Sequence, residues 1–197
     1  MFARAFLVVS LLCAFSVLTG CAGESRYVSA DEVTNELNAQ FSDTDFRMMA
    51  NEIADSFVRC PAVGGRENPP RIAPMGIKNS TSEYINTDNI ADKIMLALMR
   101  TGKVQMVDRA ILDDVVKELK LSESGFVDPK YYKSFGMAAS ADLLMTGELT
   151  SIEKREGRKT VMWYRLSVRL VDVETTTVVC MEEKEIKKES MRGLFGS

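Results

Sequence analysis

Reactive chemistry in this chain would have to come from carboxylates, lysines, serines or cysteines, because its 197 residues contain no histidine. Ser-His-Asp and Cys-His catalysis, an HExxH zinc site and a histidine pH switch are thereby excluded. The adjacent pairs Asp113-Asp114 and Glu182-Glu183 are the obvious carboxylates to consider. Sequence neighbours do not share a helix face, and in a strand they point to opposite sides, so neither pair forms a two-carboxylate device. Both read as solvated surface. Gly64-Gly65 lacks the G-x-G-x-x-G or G-K-[ST] surroundings of a phosphate loop and reads as a turn. No catalytic residue, metal ligand set or cofactor is therefore assigned. A net charge of -3 argues against a general electrostatic nucleic-acid binder, and 46% apolar residues suit one globular domain with a tail.

The cysteines are more telling. Arg4 gives a weakly positive start, and Ala5 to Leu18 is an apolar run too short for a membrane span of about 20 residues. It has the length of a signal-peptide core and ends in small residues directly before Cys21. Leu18-Thr19-Gly20-Cys21 resembles the lipobox of bacterial lipoproteins, in which the cysteine sulfur carries a diacylglycerol. That resemblance implies removal of residues 1–20 and lipid attachment at Cys21. Two or three acyl chains at about 0.8 kcal/mol per buried CH₂ suffice for stable membrane attachment. Ala22, where an aspartate would imply the inner membrane, implies the outer membrane and its periplasmic side. Cys13 would leave with the signal, so Cys60 and Cys180 remain. Nothing local pairs them, and two separate, partly buried thiols are expected in preference to a bridge.

The elements that would position any site follow from periodicity. The polar segment 21–41 reads as a lipidated cysteine and leash whose stretched length is at most roughly 70 Å. A globular domain is expected over 42–190, with a tail over 191–197. Ser42 or Asp43 caps a helix with Phe46, Met49, Ile53 and Phe57 on one stripe, stopped by Pro61 and Gly64-Gly65. A short strand, Arg71 to Ile77, precedes a helix from Thr87 or Asp88 that carries Ile90, Ile94 and Leu98 and stops at Gly102. Val104 to Val107 is a short strand. Asp108 caps a third helix with Ile111, Leu112, Val115, Val116 and Leu119 inward. Asp128-Pro129 opens a fourth through Tyr131, Tyr132, Phe135 and Met137. Period-two patterns over Leu143–Ile152, Val161–Val173 and Val178–Ile186 predict two successive hairpins. The order αβαβααβββ predicts an α/β fold, a mixed sheet with an antiparallel C-terminal meander flanked by helices.

On the middle strand of that meander, Met162, Tyr164, Leu166, Val168 and Leu170 form a core face. Trp163, Arg165, Ser167 and Arg169 form the other. The only tryptophan beside two arginines is the mixture enriched in protein interfaces. The same residues are read first as a solvated face neutralised by cross-strand ion pairs, for instance with Glu148 or Glu182. Trp163, Arg165 and Arg169 are the candidate partner-binding residues.

Five segments carry a family resemblance when taken in order behind the lipobox. They are Ser42-Asp43-Thr44-Asp45 with Met48-Met49-Ala50; Ile77-Lys78-Asn79-Ser80-Thr81-Ser82-Glu83; Ala91-Asp92-Lys93-Ile94 leading to Gly102-Lys103; Gly147-Glu148-Leu149-Thr150-Ser151-Ile152; and Arg169-Leu170-Val171-Asp172-Val173-Glu174-Thr175. Together they resemble the LpoB-type activators of penicillin-binding proteins, over about Ser42 to Lys188. The resemblance implies a non-enzymatic outer-membrane lipoprotein that stimulates a bifunctional class A penicillin-binding protein, and a fold similar to the N-terminal domain of TolB. A second reading is an envelope assembly or secretion accessory resembling CsgG or TolB, acting through oligomerisation or protein binding.

Overall fold

The computed structural model describes residues 39–119 and 131–191. The expected signal segment, Cys21, most of the leash, Asp128-Pro129 and the end of the tail lie outside the described residues. Helix α1 (Asp43–Arg59) opens on the expected cap: Ser42 accepts from the Asp45 amide while the Asp45 carboxylate accepts from the Ser42 amide, a reciprocal capping box. Met49, Ile53 and Phe57 are buried on its inner stripe, joined by Ala50 and Ala54. A one-turn helix, α2 (Pro61–Gly64), then turns the chain toward β1 (Arg71–Ser80).

Strand β1 runs three residues past its expected end at Ile77. It carries a proline in what becomes an interior strand, because its neighbour β2 (Gln105–Met106) pairs only with Arg71 and Ile72. Beyond those two residues Pro74 faces no ladder on that side, and the register shifts between Pro74 and Ile77, where Gly76 adopts φ 90°. Between the two strands lies α3 (Asp88–Arg100), with Ile90, Ile94 and Leu98 buried and Gly102 at φ 68° just past its end. The Thr87 hydroxyl donates to the Ile77 carbonyl and so ties the start of α3 to β1.

Helix α4 (Arg109–Leu119) buries Leu112 and Val115, but Ile111, expected inward, is 51% exposed. Ile111 lies about 100° around the helix from Leu112, outside the narrow stripe that meets the sheet. Helix α5 (Tyr132–Ala138) buries Tyr132 and Phe135, whereas Tyr131 and Met137 point outward. The three C-terminal strands, β3 (Leu143–Glu156), β4 (Lys159–Asp172) and β5 (Val178–Met191), are each longer than the pattern predicts. The first hairpin narrows to a turn at Gly157, φ 56°.

The five strands form one sheet in the order β2-β1-β3-β4-β5, parallel through β2, β1 and β3 and antiparallel from β3 to β5. This is the mixed sheet and meander expected from the sequence. Gly147 lets β3 and β4 approach closely, since a Cβ there would stand 2.6 Å from the Ser167 carbonyl oxygen. Side-chain alternation divides the interior into two cores. Ile72, Leu143 and Leu170 join α1 and α3 in the larger one. Their neighbours Ala73, Leu144 and Val171 join α4 and α5 in the smaller one on the opposite face. The smaller core reaches no farther along β3 and β4 than Leu144 and Val171, so the rest of that face of the meander carries no helix among the described residues.

Candidate functional site

The uncovered face displays alternate residues in strict register. From β3 come Glu148, Thr150 and Ile152; from β4, Trp163, Arg165, Ser167 and Arg169; from β5, Met181, Glu183, Glu185 and Lys187. Trp163, Arg165 and Arg169 therefore share one face, as expected, but not one point. Trp163 and Arg169 are six residues apart on a strand, about 20 Å. Trp163 is 44% exposed, opposite Ile152 on β3 and Lys187 on β5.

Arg165 has the ion-pair partner that a neutralised face would need, though not the expected one. Its Nε lies 3.7 Å from Glu183 Oε2, and the Ser167 hydroxyl donates to the same oxygen at 3.4 Å. Glu182 stands on the helix-covered face, opposite Val168. The parity of β5 decides this, and parity depends on the register shift between Leu170 and Val171, which no local pattern announces. Glu148 turns instead toward β1, where the Ser80 hydroxyl donates to it at 2.5 Å and Lys78 Nζ lies 3.5 Å away. The Ser80 hydrogen bond, followed by the Lys78 charge, holds its carboxyl below the usual range despite some desolvation. Asp113 and Asp114 are exposed on α4, and among the described residues no group of histidine, cysteine, aspartate or glutamate side chains is arranged to hold a metal ion.

On the covered face the sequence concealed a second arrangement. The Tyr164 hydroxyl donates to Glu83 and lies 3.2 Å from the Ala39 carbonyl; the other Glu83 oxygen accepts from the Phe41 amide at 3.1 Å. Phe41 meets the Tyr164 ring edge-on at 5.3 Å between centroids. Lys188 donates to the Gln40 carbonyl at 2.7 Å. Ala39, 3% exposed, and Phe41 thus already pack on the body N-terminal to Ser42. Burial, then the Glu83 carboxylate on its hydroxyl, push the Tyr164 phenol far above its ordinary range. Cys60 and Cys180 also belong to this side. Cys60, capping the end of α1, is disulfide-bonded to Cys180 on the edge strand β5, with 6.3 Å between Cα atoms. Two separate thiols were the expectation; the fold brings together residues that no local pattern pairs.

Among the described residues no helix is long and apolar enough to cross a membrane. The architecture matches that of the LpoB C-terminal domains from Salmonella enterica and Escherichia coli, each with a TM-score of 0.57 at 13% identity, covering 72% of this chain and 98% of that one. The solution structure of Escherichia coli LpoB matches at a TM-score of 0.52 and 11% identity, over 90% of this chain and 87% of that one. At such identities the likeness establishes the fold alone. No curated protein sequence gives a significant match. The sequence profile of the peptidoglycan-synthase activator LpoB, however, matches residues 45–186, from the first turn of α1 into β5, and the chain therefore belongs to the LpoB family of peptidoglycan-synthase activators.

Proposed function

We propose that this chain is an outer-membrane lipoprotein, held through a diacylated Cys21 on the periplasmic side, whose globular domain binds and stimulates a bifunctional class A penicillin-binding protein. The observation that carries this reading is the family match across nearly the whole described domain. The Cys60–Cys180 bridge supports export independently, because disulfides persist in oxidising compartments such as the periplasm. Stimulation needs no chemistry from the activator. The domain has only to bind the synthase's active conformation more tightly than its resting one, and each 1.4 kcal/mol of difference shifts the ratio about tenfold. The open meander face is the surface for that contact, with Trp163 as its aromatic anchor and Arg165 and Arg169 as its charged groups.

Pull-down of the full-length chain from crosslinked envelopes, paired with glycan polymerisation by a purified class A synthase, tests this reading. The wild type recovers a penicillin-binding protein and accelerates polymerisation. The triple variant Trp163→Ala, Arg165→Ala, Arg169→Ala keeps the fold and loses both. An envelope pull-down without any synthase, or a triple variant as active as wild type, overturns respectively the partnership or the assigned face. Replacement of Cys21 by serine is expected to release the chain from the outer-membrane fraction.

A further inference from the structure

At the hairpin end of the open face the sheet forms a cleft of about 610 Å³. Its floor is apolar, made by Ile152, Val161 and Trp163; Ile152 and Trp163 are direct cross-strand partners, the former 61% exposed. Around it stand Lys154, Arg155, Lys159 and Lys187 with Glu156 and Glu189, and Arg155 is itself paired with Glu153 beside the cleft. Glu189 is shared, 2.9 Å from Lys159 Nζ and 3.9 Å from Lys187 Nζ, so one carboxylate answers two ammonium groups. The cleft is thus lined by an excess of positive charge in a chain whose net charge is -3.

An exposed indole beside aliphatic side chains suits the C–H face of a sugar ring, which is apolar while its rim is polar. Lysines on long stems act as movable point charges for carboxylates whose spacing varies. An acidic protein segment would use the cations but would gain little from a single half-open ring on a bare sheet. We infer that this cleft binds a carboxylate-bearing glycan, the polymer class made by peptidoglycan synthases, with a sugar against Trp163 and carboxylates at Lys154, Lys159 and Lys187. The choice of polymer rests on the function proposed above. Because Trp163 also anchors the synthase contact proposed above, wall and synthase would take this end of the face in turn, with Arg165 and Arg169 available to the synthase throughout.

The chain's single tryptophan makes the test direct. Soluble wall fragments titrated into the full-length protein are expected to change Trp163 fluorescence saturably, and insoluble wall polymer is expected to co-sediment the protein, less so at high salt. Trp163→Ala weakens co-sedimentation about five- to tenfold. Lys154→Glu with Lys159→Glu does the same while leaving the tryptophan to report that the cleft is intact. Circular dichroism separates loss of binding from loss of fold. Three results overturn the inference: no co-sedimentation by wild type, co-sedimentation indifferent to both variants, or equal displacement by polyglutamate, which would mark the cleft as a site for acidic polypeptide. Wild type that accelerates the synthase yet ignores the wall polymer would overturn this inference alone and leave the proposed function standing.

Discussion

Lys188 Nζ lies 2.8 Å from Asp45 Oδ2 with the two side chains only 11% and 5% exposed, joining the last strand to the first turn of the first helix across 143 residues. Asp45 is also the capping carboxylate, accepting from the amide and the hydroxyl of Ser42 at 2.9 and 2.8 Å. A carboxylate this enclosed needs its cation, since removing one partner of a buried pair leaves an uncompensated charge. Lys188→Ala is expected to cost about 3 kcal/mol. Adding Asp45→Asn to that variant removes the stranded charge, so the double variant should be more stable than the sum of the single losses predicts. Urea denaturation midpoints of the four proteins measure this, and strictly additive losses would refute the coupling.

Tyr164 and its neighbour Trp163 point to opposite faces of β4, and each faces a different task. Trp163 is open to ligands, whereas Tyr164 holds down Ala39 to Phe41 through Glu83 and the edge contact with Phe41. Tyr164→Phe keeps the ring and removes only the hydroxyl. The Glu83 carboxylate then loses a buried donor, at an expected cost of about 1 to 3 kcal/mol. The loosening should be local: the Phe41 amide should exchange with solvent markedly faster while amides of β3 retain their protection. Unchanged exchange at Phe41 would show that the hydroxyl does not hold the segment.

The Cys60–Cys180 bridge closes a loop with a sequence separation of 120 residues. Chain entropy sets a ceiling of about 5 kcal/mol for such a loop, and about 2 to 4 kcal/mol is the expected loss on reduction or on replacement of both cysteines by serine. Reductant should lower the denaturation midpoint of the wild type and leave that of the double serine variant unmoved. Equal midpoints for the two proteins without reductant would mean that the bridge contributes nothing.

What the sequence makes legible here is what depends on neighbours. Ser42 announces the start of α1, Thr87 with Gly102 brackets α3, and strict alternation in β4 separates Tyr164 from Trp163. Contacts between distant elements leave no such trace. Glu83 sits in a polar loop 81 residues from Tyr164, and Glu182 and Glu183 are distinguishable only after the β4–β5 register is known. The candidate face was readable as a face. Its apolar end was not, because Ile152 and Val161 have the composition of core residues and become surface only where the second helical layer stops.

A titratable group with a built-in pH dependence lies at the other end of β4. Asp172 ends β4, and its Oδ1 accepts from the amide and hydroxyl of Thr175 at 2.9 Å each, with Arg66 3.8 Å from Oδ2. The amide of Thr175 foremost, then its hydroxyl, holds the carboxyl below its ordinary value of 3.8, against some desolvation. A depressed pKa in the folded state means that the stabilisation is fully present above that ordinary value and is lost as pH falls through the lower folded value. Asp172→Asn preserves an acceptor for the turn but abolishes the charge. The variant should therefore be less stable than wild type by about 0.5 to 1 kcal/mol near neutral pH, where the carboxylate is solvent-screened but still aided by its donors. The gap should close as the solution is acidified below the ordinary aspartate range. Denaturant titrations at stepped pH decide it: a difference that persists or widens in acid would assign the loss to packing of the turn.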